Sequence, residues 1–193
     1  EDLNRQLLVI QALQHELKEQ AIRDALTNVY NRRYFNEAFE KEIARAKRNG
    51  SSITIILIDI DHFKRVNDAC GHAAGDRVLK NFGTLLLEKT RGEDIVCRFG
   101  GEEFIMLFVN ADMDATLRRV NQIREDFHQM CLQDALLHLD VTISSGVAAY
   151  PQHGRDSHEL FLKVDRALYA AKAAGRNCVV MSTETVTTRE EAP

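Results

Sequence analysis

At residues 98–104 the chain reads Arg98-Phe99-Gly100-Gly101-Glu102-Glu103-Phe104, so two glycines are followed directly by two glutamates. Apolar runs flank this stretch, at residues 95–97 and 104–109. Apolar runs around a short glycine-containing turn predict a β-hairpin. Because glycine has no Cβ, such a turn leaves space for a ligand or another backbone. The two carboxylates suit a divalent cation and a phosphate, unless this is an ordinary hairpin with an acidic turn.

A second acidic cluster favours the cation. Residues 52–60 form a β-branched, apolar run that predicts a buried strand and ends in Asp59-Ile60-Asp61. Asp59 and Asp61 lie two residues apart, so an extended backbone points both carboxylates to one side and Ile60 to the other. Carboxylates at the end of a buried strand are costly unless a cation compensates them. Oxygen ligands suit Mg²⁺ or Mn²⁺, and the sequence has no His/Cys spacing typical of zinc.

Periodicity predicts the remaining elements. Helices are expected over residues 31–48, 63–69, 75–89, 112–133 and 157–173, and strands over 52–61, 95–99, 103–109, 139–149 and 177–181. This mixture of helices, a hairpin and return strands indicates an α/β or α+β fold with a mixed sheet.

The ordered motifs of the chain resemble those of a GGDEF domain, the catalytic domain of bacterial diguanylate cyclases, in its GGEEF variant. The motifs that carry the resemblance are residues 24–27, 31–33, 59–64, 67–68, 71–76, 100–104, 165, 167–169, 171–172 and 175–177. Together they span roughly residues 24–181. The resemblance implies a central five-stranded mixed sheet surrounded by helices, as in the palm of nucleotidyl cyclases and polymerases.

The resemblance also implies an activity. Two GTP molecules would condense into cyclic di-GMP and release two pyrophosphates, as each ribose 3′-hydroxyl attacks the α-phosphate of the other GTP. Metal ions can activate the hydroxyl and neutralise the phosphates. We expect Asp59, Glu102 and the Ile60 carbonyl to bind Mg²⁺ or Mn²⁺, two ions per active site. Glu102 is also the expected base, and Glu103 would join the metal ligands or orient Glu102.

Guanine needs a hydrogen-bond acceptor for its N1 and N2 edge and a donor for O6 or N3, which a carboxylate and an amide supply. Asp76 and Asn67 match the guanine-contacting positions of the family, and the resemblance places His72 near the nucleotide. The alternatives are a helix N-cap for Asp76, a turn residue for Asn67, and packing or capping for His72.

Positive charge for the triphosphate is expected from Lys172 and Arg176, which the family uses to hold the β- and γ-phosphates. They could instead complement a helix dipole or lie on a solvated face. Phe63 and Lys64 begin a short helix whose outward backbone N–H groups form a natural phosphate site.

Arg91 and Asp94, with two residues between them, match the inhibitory site at which the family binds its product, cyclic di-GMP. Arginine can pair with phosphate through two hydrogen bonds or stack on guanine. The alternative is a solvated turn. Such sites often recruit another arginine from the next helix, and the sequence leaves open which of Arg118, Arg119 and Arg124 faces the site.

The chain is expected to have three parts: a helix at residues 1–23, the catalytic domain at 24–181 and a polar, disordered tail at 182–193. Heptad-like spacing predicts a coiled coil at Leu3, Leu7, Ile10, Leu17 and Ala21, with Gln14 as a polar core position. We expect this helix to form a homodimer and to follow an upstream sensory or receiver domain in the parent chain; an amphipathic helix packed on its own domain is the alternative.

Composition limits the partners. The net charge of −4 lacks the basic surplus typical of proteins that bind nucleic acid polymers. Four cysteines without a CxxC motif favour a reduced, cytoplasmic setting. No apolar run approaches the ~20 residues of a membrane helix, so this fragment is expected to make no membrane contact, although its parent could be anchored upstream.

Two other functions are weighed against catalysis. A catalytically silent module that binds GTP or cyclic di-GMP would usually lack Asp59 or the turn carboxylates, and all of these are present. A receiver domain phosphorylated on aspartate would have no use for the glycine hairpin, for Asn67 and Asp76, or for the late cationic pair.

Overall fold

The computed structural model describes residues 2–134 and 139–183. Within them the chain forms six helices and six strands in the order α1 (Asp2–Ile22), β1 (Tyr30–Asn31), α2 (Arg32–Asn49), β2 (Ile53–Ile60), α3 (Phe63–Cys70), α4 (His72–Glu88), β3 (Ile95–Arg98), β4 (Glu103–Val109), α5 (Met113–Gln133), β5 (Ile143–Tyr150), α6 (Ser157–Ala173) and β6 (Val179–Met181). The expectation of a disordered tail lies outside the described residues from position 184 onward.

The strands form one mixed sheet in the order β1-β3-β4-β2-β5-β6. The central strand β2 is antiparallel to both β4 and β5, whereas β1 pairs with β3 and β6 with β5 in parallel. A mixed sheet surrounded by helices was predicted, and this is confirmed. The sixth strand is β1, whose two residues are too few to produce a periodic pattern.

Side chains of β2 alternate between two hydrophobic layers. Ile55 and Leu57 pack with residues of α2 and α6, while Ile56 and Ile58 pack on the other face with residues of α4 and α5. Because both faces are covered, the strand is apolar throughout, and each buried isoleucine contributes roughly 1.5–3 kcal/mol. The same alternation places Asp59 on the face of α2 and α6, at the end of the strand.

Two elements begin three or more residues away from their predicted starts. Helix α4 begins at His72 rather than at Gly75, because Gly71, at φ +82°, already separates it from α3. Strand β5 begins at Ile143 rather than at residue 139. The earlier start of α4 makes Asp76 the fifth residue of the helix, which excludes the N-cap role considered for it.

Helix α1 exposes large apolar side chains between Leu7 and Leu17. Leu7, Ile10 and Leu17 are 48%, 51% and 65% exposed, so the domain does not cover them. The end of the helix is nevertheless fixed, since the side-chain amide of Asn31 donates to the carbonyl oxygen of Ala21 at 2.9 Å. This exposure disagrees with the alternative of an amphipathic helix packed on its own domain. Within the described residues, no helix has both the length and the apolar character needed to span a bilayer.

Candidate active site

The predicted hairpin forms between β3 and β4. The backbone N–H groups of Phe99 and Gly100 donate to the carbonyl oxygen of Glu103, at 2.8 and 3.3 Å. A Cβ at Gly100 would come within 2.8 Å of the Glu103 carboxylate, so the absence of a side chain at position 100 leaves room for this carboxylate. The N–H of Ile60 donates to the carbonyl of Glu102 at 3.3 Å. The hairpin tip therefore lies at the end of β2, where Asp59 ends the apolar run.

Glu103, rather than Glu102, is the residue directly opposite Asp59. The two are cross-strand partners in the β2–β4 register, and such partners have Cβ atoms about 4.5–5.5 Å apart. Burial raises the pKa of Asp59, although Lys172 opposes the shift. Burial, followed by the negative charge of Asp59, also raises the pKa of Glu103. The Glu102 side chain is half-buried beside this pair.

Two facing carboxylates beside the Ile60 carbonyl fit a hard divalent cation. Mg²⁺ is usually bound by one or two carboxylates together with substrate phosphates, rather than by a complete cage of protein side chains. Within the described residues, no group of three His, Cys, Asp or Glu side chains is arranged to hold a metal ion.

Lys172 projects from α6 onto the carboxylate pair. Its Nζ lies 2.8 Å from Oδ2 of Asp59, which is 8% exposed. Arg176 follows four residues later, beyond Gly175 at φ +110°, and its charge, like that of Lys172, opposes the rise in the pKa of Asp59 that burial causes. Both predicted phosphate-binding cations are therefore brought to the acidic site, and Lys172 is not simply part of a solvated face.

Asp61 has a different environment from Asp59. It is 4% exposed and accepts hydrogen bonds from the hydroxyls of Thr142 and Ser144, each at 2.7 Å, and from the backbone N–H of Asn177 at 3.1 Å. The sequence predicted the common side of the two aspartates but gave no signal for this role. Asp61 ties the end of β2 to the start of β5 and to the turn after α6.

The predicted guanine-binding residues lie where α3 meets α4. A Cβ at Gly75 would clash with Oδ1 of Asn67, so glycine lets this side chain lie against the start of α4. Asp76 is the next residue and is exposed, as is His72. The structure thus brings Asn67 close to the backbone that carries Asp76.

The start of α3 offers backbone donors. Its N-cap is His62, in the left-handed region at φ +55°, and no side chain caps the helix there. Phe63 is buried with its ring towards Gly75, whereas Lys64 is exposed. The first N–H groups of an α-helix lack partners within the helix and attract anions, which agrees with the expected phosphate site.

Hydrogen bonds hold the Arg91–Asp94 turn, and a third residue, Arg119, contacts it. Oδ2 of Asp94 accepts from the Arg91 N–H at 2.9 Å and lies 3.3 Å from Nη1 of Arg119 on α5. Burial raises the pKa of Asp94. A cavity of about 250 Å³ is lined by all three residues. Of the three arginines left open, Arg119 faces the turn, while Arg118 is exposed.

Arg98 anchors the tip of the hairpin, which the sequence did not reveal. Its Nε and Nη2 donate to the carbonyl of Gly101 at 3.1 and 2.8 Å, and its Nη1 donates to Oδ1 of Asp24 at 3.2 Å. Asp24 also accepts from the N–H and hydroxyl of Thr27. Although burial opposes it, these bonds lower the pKa of Asp24.

Comparisons with known proteins agree on one family. The family model described as "Diguanylate cyclase, GGDEF domain" matches residues 21–178. The response regulator PleD of Caulobacter vibrioides is 39% identical over 172 residues, covering 87% of this chain and 37% of PleD. The diguanylate cyclase DgcP of Pseudomonas aeruginosa is 37% identical over 161 residues, covering 83% of this chain and 24% of DgcP. The chain thus spans well under half of these two curated relatives.

Solved structures show the same likeness. The coiled coil and GGDEF domain of DgcB from Caulobacter crescentus, in complex with c-di-GMP, superposes with a TM-score of 0.86 at 28% identity, covering 93% of this chain and 95% of that one. The diguanylate cyclase SiaD from Pseudomonas aeruginosa, in complex with its activator SiaC, gives a TM-score of 0.80 at 32% identity and covers 92% and 68%.

Proposed function

The chain belongs to the GGDEF family of diguanylate cyclase domains, and from this membership we propose that it condenses two GTP molecules into cyclic di-GMP with release of two pyrophosphates. The observation that carries the proposal is the pair of facing carboxylates, Asp59 and Glu103, at the glycine hairpin with the Lys172 ammonium group 2.8 Å from Asp59. Carboxylates and a cation at one point serve phosphoryl transfer, in which negative charge must be neutralised and the nucleophile positioned.

Each residue has a role in this reaction. Asp59, Glu103 and the Ile60 carbonyl would hold the metal, which our proposal takes to be Mg²⁺ or Mn²⁺. A bound divalent cation would lower the pKa of the 3′-hydroxyl and offset phosphate charge. Glu102, half-buried beside the pair, accepts the hydroxyl proton. These assignments keep Glu103 as a metal ligand, one of the two roles expected for it from the sequence, and keep Glu102 as the expected base.

The remaining residues bind GTP. Lys172 and Arg176 hold the β- and γ-phosphates, and the N–H groups at Phe63 and Lys64 supply neutral donors. Asn67 and Asp76 bind the edge of guanine, with His72 nearby. A carboxylate selects guanine because it accepts from N1–H and N2–H₂ together, which adenine does not offer.

Catalysis needs two domains, because each binds one GTP and the product joins two. The exposed apolar side chains of α1 suit a parallel coiled coil with a second copy, which would bring two hairpins face to face. An upstream sensory or receiver domain would control this pairing. The structure of DgcB, described as containing a coiled coil and a GGDEF domain, supports a coiled coil at α1.

The direct test is incubation of the protein with GTP and Mg²⁺, followed by chromatography of the nucleotides. We expect cyclic di-GMP and pyrophosphate, at a rate that rises more steeply than linearly with protein concentration because the dimer is the active species. If GTP binds without forming product even after fusion to a strong dimerising coiled coil, the chain is a binding module and the proposed activity is wrong.

Product inhibition should depend on Arg91. Its side chain is 71% exposed and is held at the turn by its own backbone bond to Asp94, so it is available to pair with product. We expect Arg91→Ala to raise the inhibition constant for cyclic di-GMP by roughly 10- to 100-fold, the loss of one hydrogen-bonded charge contact. Initial rates measured with added product give this constant.

Arg118→Ala is the control, because it removes the same charge from an exposed position on α5, next to Arg119, whereas Glu93 pairs with Arg91 at 3.8 Å and is unsuitable. It should leave inhibition and the initial rate unchanged. An unchanged inhibition constant in Arg91→Ala would mean that the Arg91–Asp94 site is only a surface turn.

A further inference from the structure

The turn after α6 presents Arg176 in a backbone conformation that needs support. Gly175, Arg176 and Asn177 all have positive φ angles, of +110°, +67° and +47°. The left-handed region is uncommon for residues other than glycine, and consecutive residues hold it only where the surroundings fix them. The position of Arg176 therefore depends on the contacts made by its neighbours.

One of these contacts comes from the sheet. The N–H of Asn177 donates to Oδ2 of Asp61, and the hydroxyls of Thr142 and Ser144 hold that carboxylate in turn. The N–H of Arg176 donates to the carbonyl of Ala171 at 3.1 Å, which closes the end of α6. These hydrogen bonds fix the backbone of the turn.

The second contact comes from a different layer of the fold. Nη1 of Arg124, on α5, donates to the side-chain oxygen of Asn177 at 2.7 Å. The Arg124 side chain is 18% exposed, and its Nε is buried without a hydrogen-bond partner in the described part of the chain. Burying an unbonded guanidinium nitrogen is unfavourable. Nη2 of Arg124 also lies 3.1 Å from Oε1 of its neighbour Glu125 on α5, so the bond to Asn177 is the one that joins α5 to the turn. The buried apolar face of α5 includes Val120, Ile123 and Phe127.

We propose that Arg124 is a positioning residue for GTP binding: by holding the side chain of Asn177, it fixes Arg176 beside Lys172 at the triphosphate site. Arg124 does not touch the nucleotide in this arrangement. The inference rests on the proposed function, which makes Arg176 a phosphate ligand.

The consequence is a selective loss of nucleotide affinity. We expect Arg124→Ala to raise the KM for GTP and the dissociation constant of 3′-deoxy-GTP by on the order of tenfold, the effect of losing one charge-assisted phosphate contact, with kcat nearly unchanged. Asn177→Gly should have the same effect, because glycine removes the acceptor side chain but tolerates positive φ. Arg124→Lys, which keeps a cationic donor, should restore part of the affinity.

A double-mutant cycle separates positioning from loss of structure. The dissociation constant of 3′-deoxy-GTP with Mg²⁺ is measured by calorimetry for Arg124→Ala, Arg176→Ala and both together. Positioning predicts that Arg176→Ala weakens binding strongly in the unaltered protein and little in the Arg124→Ala background. The exposed Arg118, on the same helix, provides the control Arg118→Ala, which should bind normally.

Additive effects in the cycle, or normal binding by both Arg124→Ala and Asn177→Gly, would overturn the inference. Since 3′-deoxy-GTP lacks the reacting hydroxyl, the cycle reports on binding even if no cyclic product ever forms, in which case only the proposed activity fails. Absence of nucleotide binding by the unaltered protein would overturn both.

Discussion

Asp59→Asn is expected to reduce cyclic di-GMP formation by about 10³-fold or more while leaving the fold intact. The substitution keeps the shape of the side chain but removes a charge that faces the metal site. Losing several kcal/mol of transition-state stabilisation corresponds to a rate loss of this size, at 1.36 kcal/mol for each factor of ten. The rate of product formation, and Mn²⁺ affinity followed by electron paramagnetic resonance, would both show the loss.

Stability should change little, because the asparagine oxygen can still accept from Lys172 and because Lys172, one-third exposed, can otherwise turn to solvent. We therefore expect a thermal unfolding midpoint within a few degrees of the unaltered protein. Asp68→Asn is the charge-matched control, since Asp68 is exposed on α3, and it should be fully active. Turnover retained in Asp59→Asn would remove Asp59 from the metal site.

Local pattern was enough to predict most of the scaffold. The strand β2 and both hairpin strands follow from apolar runs, and α6 was predicted with its observed bounds, Ser157–Ala173. Such elements can be predicted because their apolar residues recur with the period of the helix or strand that buries them. Strand β1 was missed because two residues, paired with β3 from across the chain, have no period.

Contacts between distant segments could not be read from the chain. Arg98 and Asp24 are separated by 74 positions, and Arg124 and Asn177 by 53. An arginine on a predicted helix is ordinarily a solvated residue, so nothing local distinguished Arg119 or Arg124 from Arg118. Only the packing of α5 against the sheet decides which of them meets a partner.

The two aspartates at the end of β2 show the same limit of prediction for residues close together in the chain. The alternation of side chains along an extended strand predicts that Asp59 and Asp61 lie on one side of it. What lies beside each carboxylate depends instead on other elements of the fold. Asp59 has Lys172 of α6 and its cross-strand partner Glu103, and Asp61 has the hydroxyls of Thr142 and Ser144. Sequence spacing thus identified the acidic cluster but not the different role of each carboxylate in it.

The second large effect is expected from substitutions of Glu102 and Glu103, which have different roles in the proposed reaction. Glu103→Gln and Glu102→Gln are both expected to reduce turnover by roughly 10²- to 10⁴-fold, the range for losing a catalytic carboxylate. Only Glu103→Gln should also weaken Mn²⁺ binding. Glu103 is the residue that pairs with Asp59 across the strands, and Gly100 leaves space for its carboxylate.

Glu102 reaches β2 through its backbone, as its carbonyl accepts from the N–H of Ile60, while its side chain remains half-buried beside the pair. A base in that position can lose its function without loss of the metal. Mn²⁺ affinity measured on both variants without nucleotide separates the roles, and equal unfolding midpoints would show that neither glutamine disturbs the hairpin. If Glu102→Gln weakens Mn²⁺ and Glu103→Gln does not, the ligand assignment must be reversed, because the cross-strand register would then not determine which carboxylate meets the cation.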